Sequence, residues 1–456
     1  MYANKHGLLL SMGEEGTVAF RTFRKGGMAL LFSKLRGALG RFWQSVGRFV
    51  KRKDPSTVFI ALMATGCLTY ILIYAIMGNA QYTDLFFLRT KDLFMDFYNS
   101  VRDAAQGEAA YTVHHVIYPP MANLLYLICS RFIPTSYNNS EWFNRYTWPK
   151  YSSAILFYLL FTLVLVLFFF ALVHEKKTGS RGVRFGFALF AVFNAPFLYM
   201  IERGNMLLLC LIALFVYAFT YNSEKAWWRE IGLLCLAFSF CLKLYPVVFG
   251  WFLIADKRYR EAVRCFIYGM LMLILPSFLF GGPAIFVQIL RNITSFSEGG
   301  GGTLTVIAAY GHLPLWLVSI VSYAWVAVCA VCFAISPWLY KDKPWKTWMI
   351  GLATIMAIPS LTSLYGWAFF LIPLIMLLRH ERLSGKNWFY VLIMTVPFIP
   401  LPFRVNWYLS TNSFLVYPMT AVLTIVAVTD TVITLYRLRK GRKEGQTERE
   451  AVTEQP

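Results

Sequence analysis

Two kinds of residue in this chain stand where chemistry could use them: carboxylates in a polar stretch between apolar runs, and cations at the ends of, or inside, such runs. The polar stretch carries Ala80-Gln81-Tyr82-Thr83-Asp84, then Phe94-Met95-Asp96-Phe97-Tyr98, then Val116-Ile117-Tyr118-Pro119-Pro120. A carboxylate held at an apolar boundary is costly to desolvate, so its presence needs a reason. Asp96, set between aromatic residues, suits the work of a general base on a hydroxyl group. The competing reading is a helix N-cap for an interfacial helix over 97–105, a position aspartate also favours. Asp84 is the second candidate base. Asp92, Asp103 and Glu108 read as solvated loop charges.

The cations come later in the chain. Arg203 lies between Glu202 and Gly204-Asn205. It reads either as half of an ion pair with Glu202 or as a cation for a phosphate group. Lys243 falls inside an apolar segment, in Lys243-Leu244-Tyr245-Pro246. A charge there is expensive and marks function by default, with a snorkelling lysine as the alternative. His312 follows Gly311 in a loop, and His114 and His115 are adjacent, so their side chains diverge. The eight cysteines all fall in apolar runs, without a CxxC pair or a zinc spacing, and read as small buried hydrophobes. HExxH, DxD, P-loop and GxSxG patterns are absent. The sequence therefore implies no metal and no cofactor.

The elements that must position these groups are membrane helices. Of 456 residues, 58% are hydrophobic and 14% charged, where soluble domains carry about 25% charged residues. Apolar runs near the length of a bilayer crossing recur along the chain, which excludes a soluble multidomain protein. The runs are too long and continuous for barrel strands, so the class is all-α, a polytopic helical bundle. A net charge of +20 could suggest nucleic acid. The basic residues sit at the ends of apolar runs, however, and so report cytoplasmic loops and contact with membrane lipids instead.

Three regions follow. Residues 1–53 are basic with a helical apolar stripe (Leu31, Leu35, Leu39, Phe42, Val46, Phe49) and no signal-peptide core, which predicts an amphipathic cytoplasmic helix. Residues 54–436 form the polytopic membrane domain, with 80–118 as its outer loop. Residues 437–456 form a charged cytoplasmic tail, expected to be disordered. Twelve apolar segments are visible. Crossing with all twelve would put basic loops on the wrong side, so ten full spans are predicted, with 119–134 and 230–256 as re-entrant segments broken by Pro119-Pro120 and Pro246. Both termini then face the cytoplasm of a cell membrane and the polar loops face outward.

The order of the motifs resembles glycosyltransferase family 87. It runs Met95-Asp96-Phe97-Tyr98, Tyr118-Pro119-Pro120, Arg203-Gly204-Asn205, Lys243-Leu244-Tyr245-Pro246 with Lys257-Arg258-Tyr259-Arg260, and Ser363 through Pro373. The resemblance covers roughly 80–380. It implies a GT-C-like bundle with interfacial and re-entrant helices, and an inverting transfer of a hexose, mannose by type, from a polyprenyl-phosphate sugar donor to an extracytoplasmic lipid or glycan acceptor. It also implies Asp96 as base. A phosphate leaving group needs cations, which fits Arg203 and Lys243, and Tyr98, Tyr118, Asn205, Tyr245, His312, Tyr365 and Trp367 are candidates to line the substrates. Many members carry histidine in the turn where this chain has Tyr365-Gly366-Trp367, so Tyr365 and Trp367 are candidates to stack on a sugar ring instead. The alternative class is a multi-span transporter or lipid flippase, which broken helices and an intramembrane lysine would also suit.

Overall fold

Prolines, glycines and side-chain caps cut the apolar runs into helices of very unequal length. The computed structural model describes residues 55–77, 94–132, 152–177, 179–298, 311–358, 361–379, 387–401 and 411–453. Within them the chain is helical and contains no strand. In order the helices are α1 (Pro55–Met77), α2 (Met95–Ala105), α3 (Ala109–Thr112), α4 (Pro120–Ser130), α5 (Ser152–Lys176), α6 (Arg181–Val192), α7 (Ala195–Arg203), α8 (Leu207–Thr220), α9 (Ala226–Leu242), α10 (Trp251–Ala255), α11 (Tyr259–Ser277), α12 (Ile285–Glu298), α13 (Leu315–Leu339), α14 (Pro344–Ala357), α15 (Leu371–Leu378), α16 (Asn387–Thr395) and α17 (Thr411–Thr453). Short 3₁₀ turns precede α10 (Tyr245–Gly250) and α15 (Tyr365–Phe370).

Five of the described helices contain segments long and apolar enough to cross a membrane: Ser56–Ile73, Leu156–Glu175, Tyr259–Phe280, Leu315–Leu339 and Asn412–Lys440. The pair α6–α7, bent by 46°, makes a sixth if it counts as one broken span. Their outer faces carry large apolar side chains, such as Leu156, Leu160, Leu163 and Leu167 on α5 and Phe266, Leu271 and Leu275 on α11. Such faces belong against lipid rather than water. The chain is thus a multi-pass membrane protein of the all-α class.

The expectation of ten full spans is not met among the described residues, because the runs 205–222, 347–362 and 365–379 give helices of only 14, 14 and 8 residues; the two runs expected to re-enter are short or broken. α4 has 11 residues, about 16 Å at the helical rise, against about 30 Å of hydrocarbon. Pro119 stands before it in extended conformation and proline occupies its first turn, where the missing N–H costs nothing. The run 230–256 breaks where expected. α9 stops at Leu242, Lys243 is extended (φ −146°, ψ 132°) and Pro246 opens a 3₁₀ turn.

The inner layer is packed by aromatic and aliphatic side chains rather than by exclusion from water, which supplies no driving force between helices in lipid. α15 is buried along its whole length, and Trp345, Trp348 and Trp367 are among the largest fully buried side chains. Trp348 stacks on Phe249 with centroids 4.3 Å apart. The far end of the bundle holds a charged clamp. Lys346 pairs with Asp430, and the Tyr340 hydroxyl donates to the same Asp430 oxygen at 3.0 Å. Asp430 is therefore paired.

Two expectations are corrected. The tail beyond Arg437 is helical through Thr453, in keeping with its Lys, Arg, Glu and Gln content. Asp103 is not a solvated loop charge. It is buried on α2 and accepts two hydrogen bonds from Arg102 at 2.9 and 2.7 Å. The predicted amphipathic helix within 1–53 and candidate Asp84 lie outside the described residues.

Candidate functional site

The site begins with a strained residue. Phe94 adopts the left-handed region (φ 57°) immediately before α2, a conformation that a bulky side chain holds only when its surroundings fix it. Its backbone N–H donates to the Glu202 carbonyl oxygen at 2.7 Å, and its buried ring packs 4.6 Å from that of Tyr158. Tyr158, on α5, donates its hydroxyl to the Ile201 carbonyl at 2.5 Å. The head of α2 is thereby tied to the end of α7.

Asp96 sits in the first turn of α2. It is not the N-cap, because the helix already begins at Met95. Instead both carboxylate oxygens face a second element. Arg203 donates to Oδ1 at 2.7 Å and the Asn205 side-chain amide donates to Oδ2 at 3.0 Å. Arg203 therefore pairs with Asp96. About a quarter of the Arg203 side chain and a fifth of the Asp96 side chain remain exposed (26% and 19%). The positive end of the α2 dipole adds to the stabilisation of the carboxylate.

The Arg203-Gly204-Asn205 turn explains why these residues follow each other. Asn194 caps the start of α7, its Oδ1 accepting from Phe197 N–H at 3.0 Å. Gly204 ends that helix in the left-handed conformation (φ 70°). Asn205 is oriented in turn by the N–H of Leu207, which donates to its side-chain oxygen at 3.1 Å, leaving the amide nitrogen for Asp96. Gly204 also lies against α2. A Cβ there would stand 2.6 Å from Phe97 Cβ and 3.3 Å from the Phe97 backbone nitrogen. Only glycine permits both the backbone angle and the approach.

Across from this turn, the chain before α4 brings in Tyr118. Tyr111 donates its hydroxyl to the Tyr118 carbonyl at 3.1 Å. From α12, the Asn292 amide donates to the carbonyls of Tyr111 and Val116 at 3.0 and 3.1 Å. Burial pushes the Tyr111 hydroxyl above the usual tyrosine range, so it stays a neutral donor. Lys243, at the break after α9, places its Nζ 4.0 Å from the centre of the half-buried Tyr118 ring, a cation–π contact. Tyr365 lies within electrostatic reach of Asp96, Arg203 and Tyr118, and its ring stacks on that of Tyr199 with centroids 5.8 Å apart. Tyr245 lies within similar reach of Tyr118 and Tyr365.

The structure thus gathers Asp96, Arg203, Asn205, Tyr118, Lys243, Tyr245 and Tyr365. Others lie apart. Tyr98 and Trp367 are buried, and Trp367 donates its indole N–H to the Met394 carbonyl at 3.1 Å. In this conformation both support the site by packing and offer no open ring face to a sugar. His312 is exposed in a left-handed turn (φ 49°) before α13. No described contact ties it to the cluster. Tyr199, Tyr158 and Asn292 were not singled out from the sequence. They act through ring stacking and backbone carbonyls, which leave no motif. Among the described residues no group of three His, Cys, Asp or Glu side chains could hold a metal ion.

An anion held by a guanidinium and an amide, beside a lysine and three tyrosine rings, is suited to proton transfer from a hydroxyl near a negatively charged leaving group. The model of glycosyltransferase family 87 matches residues 116–359. Neither a curated protein nor a solved structure matches the chain.

Proposed function

We infer the function from the premise that this chain belongs to glycosyltransferase family 87, whose model spans more than half of it. That membership makes it a membrane glycosyltransferase, with a sugar donor and an acceptor as its substrates. Beyond this, we propose an inverting hexosyltransferase. It moves mannose from a polyprenyl-phosphate donor, lying in the lipid, to a lipid or glycan acceptor on the extracytoplasmic side of the cell membrane.

The observation that carries the reading is the placement of Asp96. Its carboxylate is fixed at the head of α2 by Arg203 and Asn205, with Tyr118 and Lys243 in the same cluster. In the proposed step an Asp96 oxygen takes the proton of the acceptor hydroxyl. The hydroxyl oxygen forms its bond to the sugar C1 as the bond from C1 to the phosphate oxygen breaks. The electron pair of that bond leaves on the lipid phosphate, whose negative charge Arg203 and Lys243 stabilise. Tyr118, Tyr245 and Tyr365 offer the rings and hydroxyls that a sugar needs for orientation.

The test is transfer of radiolabelled mannose from polyprenyl-phosphate-mannose to membrane acceptors by the purified protein. Incorporation by wild type supports the reading. No incorporation from that donor, with incorporation from another polyprenyl-phosphate sugar, would overturn the mannose assignment alone.

A further inference from the structure

The proposed chemistry sets two anions, the Asp96 carboxylate and the leaving phosphate, against the one Arg203 guanidinium. The base must have a carboxylate oxygen turned to the acceptor hydroxyl, and the leaving phosphate must have a cation. In the structure the Arg203 guanidinium is committed to Asp96 Oδ1 at 2.7 Å, while Asn205 holds Oδ2 at 3.0 Å. Both oxygens are thus directed at protein donors. Asn205 is locked by its own bond from the Leu207 N–H. Arg203, the last residue of α7, sits on a long side chain that is still 26% exposed. Of the two partners Arg203 has the longer and the more exposed side chain.

We infer that Arg203 serves two anions in turn, and that the donor phosphate arms the base. In the arrangement described, Arg203 caps Asp96. An incoming phosphate monoester or glycosyl phosphate competes for the guanidinium, which binds it bidentately. The Oδ1 atom is then released to accept from the acceptor hydroxyl, while Asn205 still fixes the other oxygen. Donor therefore binds before acceptor, and the base is free only when a leaving group is in place. This makes wasteful transfer to water from an ill-placed donor less accessible, because the proton acceptor and the phosphate clamp are set by one movement. The inference rests on the proposed donor class.

The test is a binding cycle with radiolabelled geranylgeranyl monophosphate, a short analogue of the leaving group. Four proteins are compared: wild type, Asp96→Asn, Arg203→Gln and the double variant. Removing the competing carboxylate should tighten binding about tenfold, the size of one charge-assisted hydrogen bond. Arg203→Gln should weaken binding, and in that background Asp96→Asn should change affinity little. If Asp96→Asn tightens binding as much without Arg203 as with it, the effect is plain charge repulsion and the shared-cation account is wrong. If Asp96→Asn leaves affinity unchanged in the wild-type background, it is equally wrong. Absence of binding by wild type would overturn the donor class as well, which separates the two failures. A structure of the wild-type protein with geranylgeranyl monophosphate gives a test free of substitutions. The guanidinium should lie on the phosphate and off Asp96, and its persistence on Asp96 would overturn the inference.

Discussion

Replacing Gly204 by alanine should damage the site without touching a group that does chemistry. Two costs combine. The φ of 70° is a left-handed angle that costs an L-residue roughly 1–2 kcal/mol. The new methyl would lie 2.6 Å from Phe97 Cβ, 3.3 Å from the Phe97 nitrogen and 3.4 Å from Phe94 Cα. These are backbone or backbone-proximal atoms that no rotamer change can withdraw. Relief requires the first turn of α2 to retreat by roughly an ångström, an overpacking cost of roughly 1–3 kcal/mol. Together the variant should lose about 2–5 kcal/mol of stability. Asp96 rides on that turn, one residue from Phe97. A misplacement of this size should lower turnover about a hundredfold. The assay is mannose transfer by purified protein, read beside the thermal unfolding midpoint. Gly182→Ala supplies the control. A Cβ at Gly182 meets nothing within 4 Å, so this change in the first turn of α6 should leave transfer intact and stability equal or slightly higher. Wild-type transfer and wild-type stability in Gly204→Ala would refute the argument that this turn sets the position of Asp96.

Two further predictions concern cations. Lys243→Ala should weaken binding of the donor more than that of the acceptor, read as a larger rise in the donor KM; an unchanged donor affinity would remove Lys243 from the phosphate site. Lys346→Met should break the clamp to Asp430 at the other end of the bundle and lower stability by roughly 2–3 kcal/mol, between the values for exposed and fully buried pairs. Its unfolding midpoint should fall while the donor KM stays put, and an unshifted midpoint would show that the pair holds nothing together.

The sequence carried the class and the broken segments well, because both rest on local signals. Apolar runs require helices in lipid, Pro119-Pro120 opens a short helix, and Pro246 breaks the run after Lys243 in the way proline dictates. It carried the number of crossings poorly. Runs such as 347–362 and 365–379 are as apolar as spans, yet they become α14 and α15, of 14 and 8 residues, buried among other helices. Hydropathy alone does not separate a lipid-facing helix from one enclosed by protein. Arg203 was singled out, but its partner was not. Glu202 is its neighbour in sequence, and Asp96 reaches it only because a left-handed Phe94 and the Gly204 turn press α2 against α7. Tyr98 and Trp367 show the converse, since an aromatic residue inside a motif can serve packing. Contacts such as Asn292 to the Tyr111 and Val116 carbonyls join residues more than 170 positions apart and have no signature in either segment.

The measurement that bears most directly on the account is mannose transfer from polyprenyl-phosphate-mannose by wild type and by Asp96→Asn, with folding of the variant checked by its unfolding midpoint. The substitution keeps the size and shape of the side chain but removes its charge, its ability to take a proton and one of the two acceptor oxygens that Arg203 and Asn205 use, so the folding check is essential. The account predicts that wild type transfers and that the folded variant does not. Substantial turnover by folded Asp96→Asn would contradict Asp96 as the base.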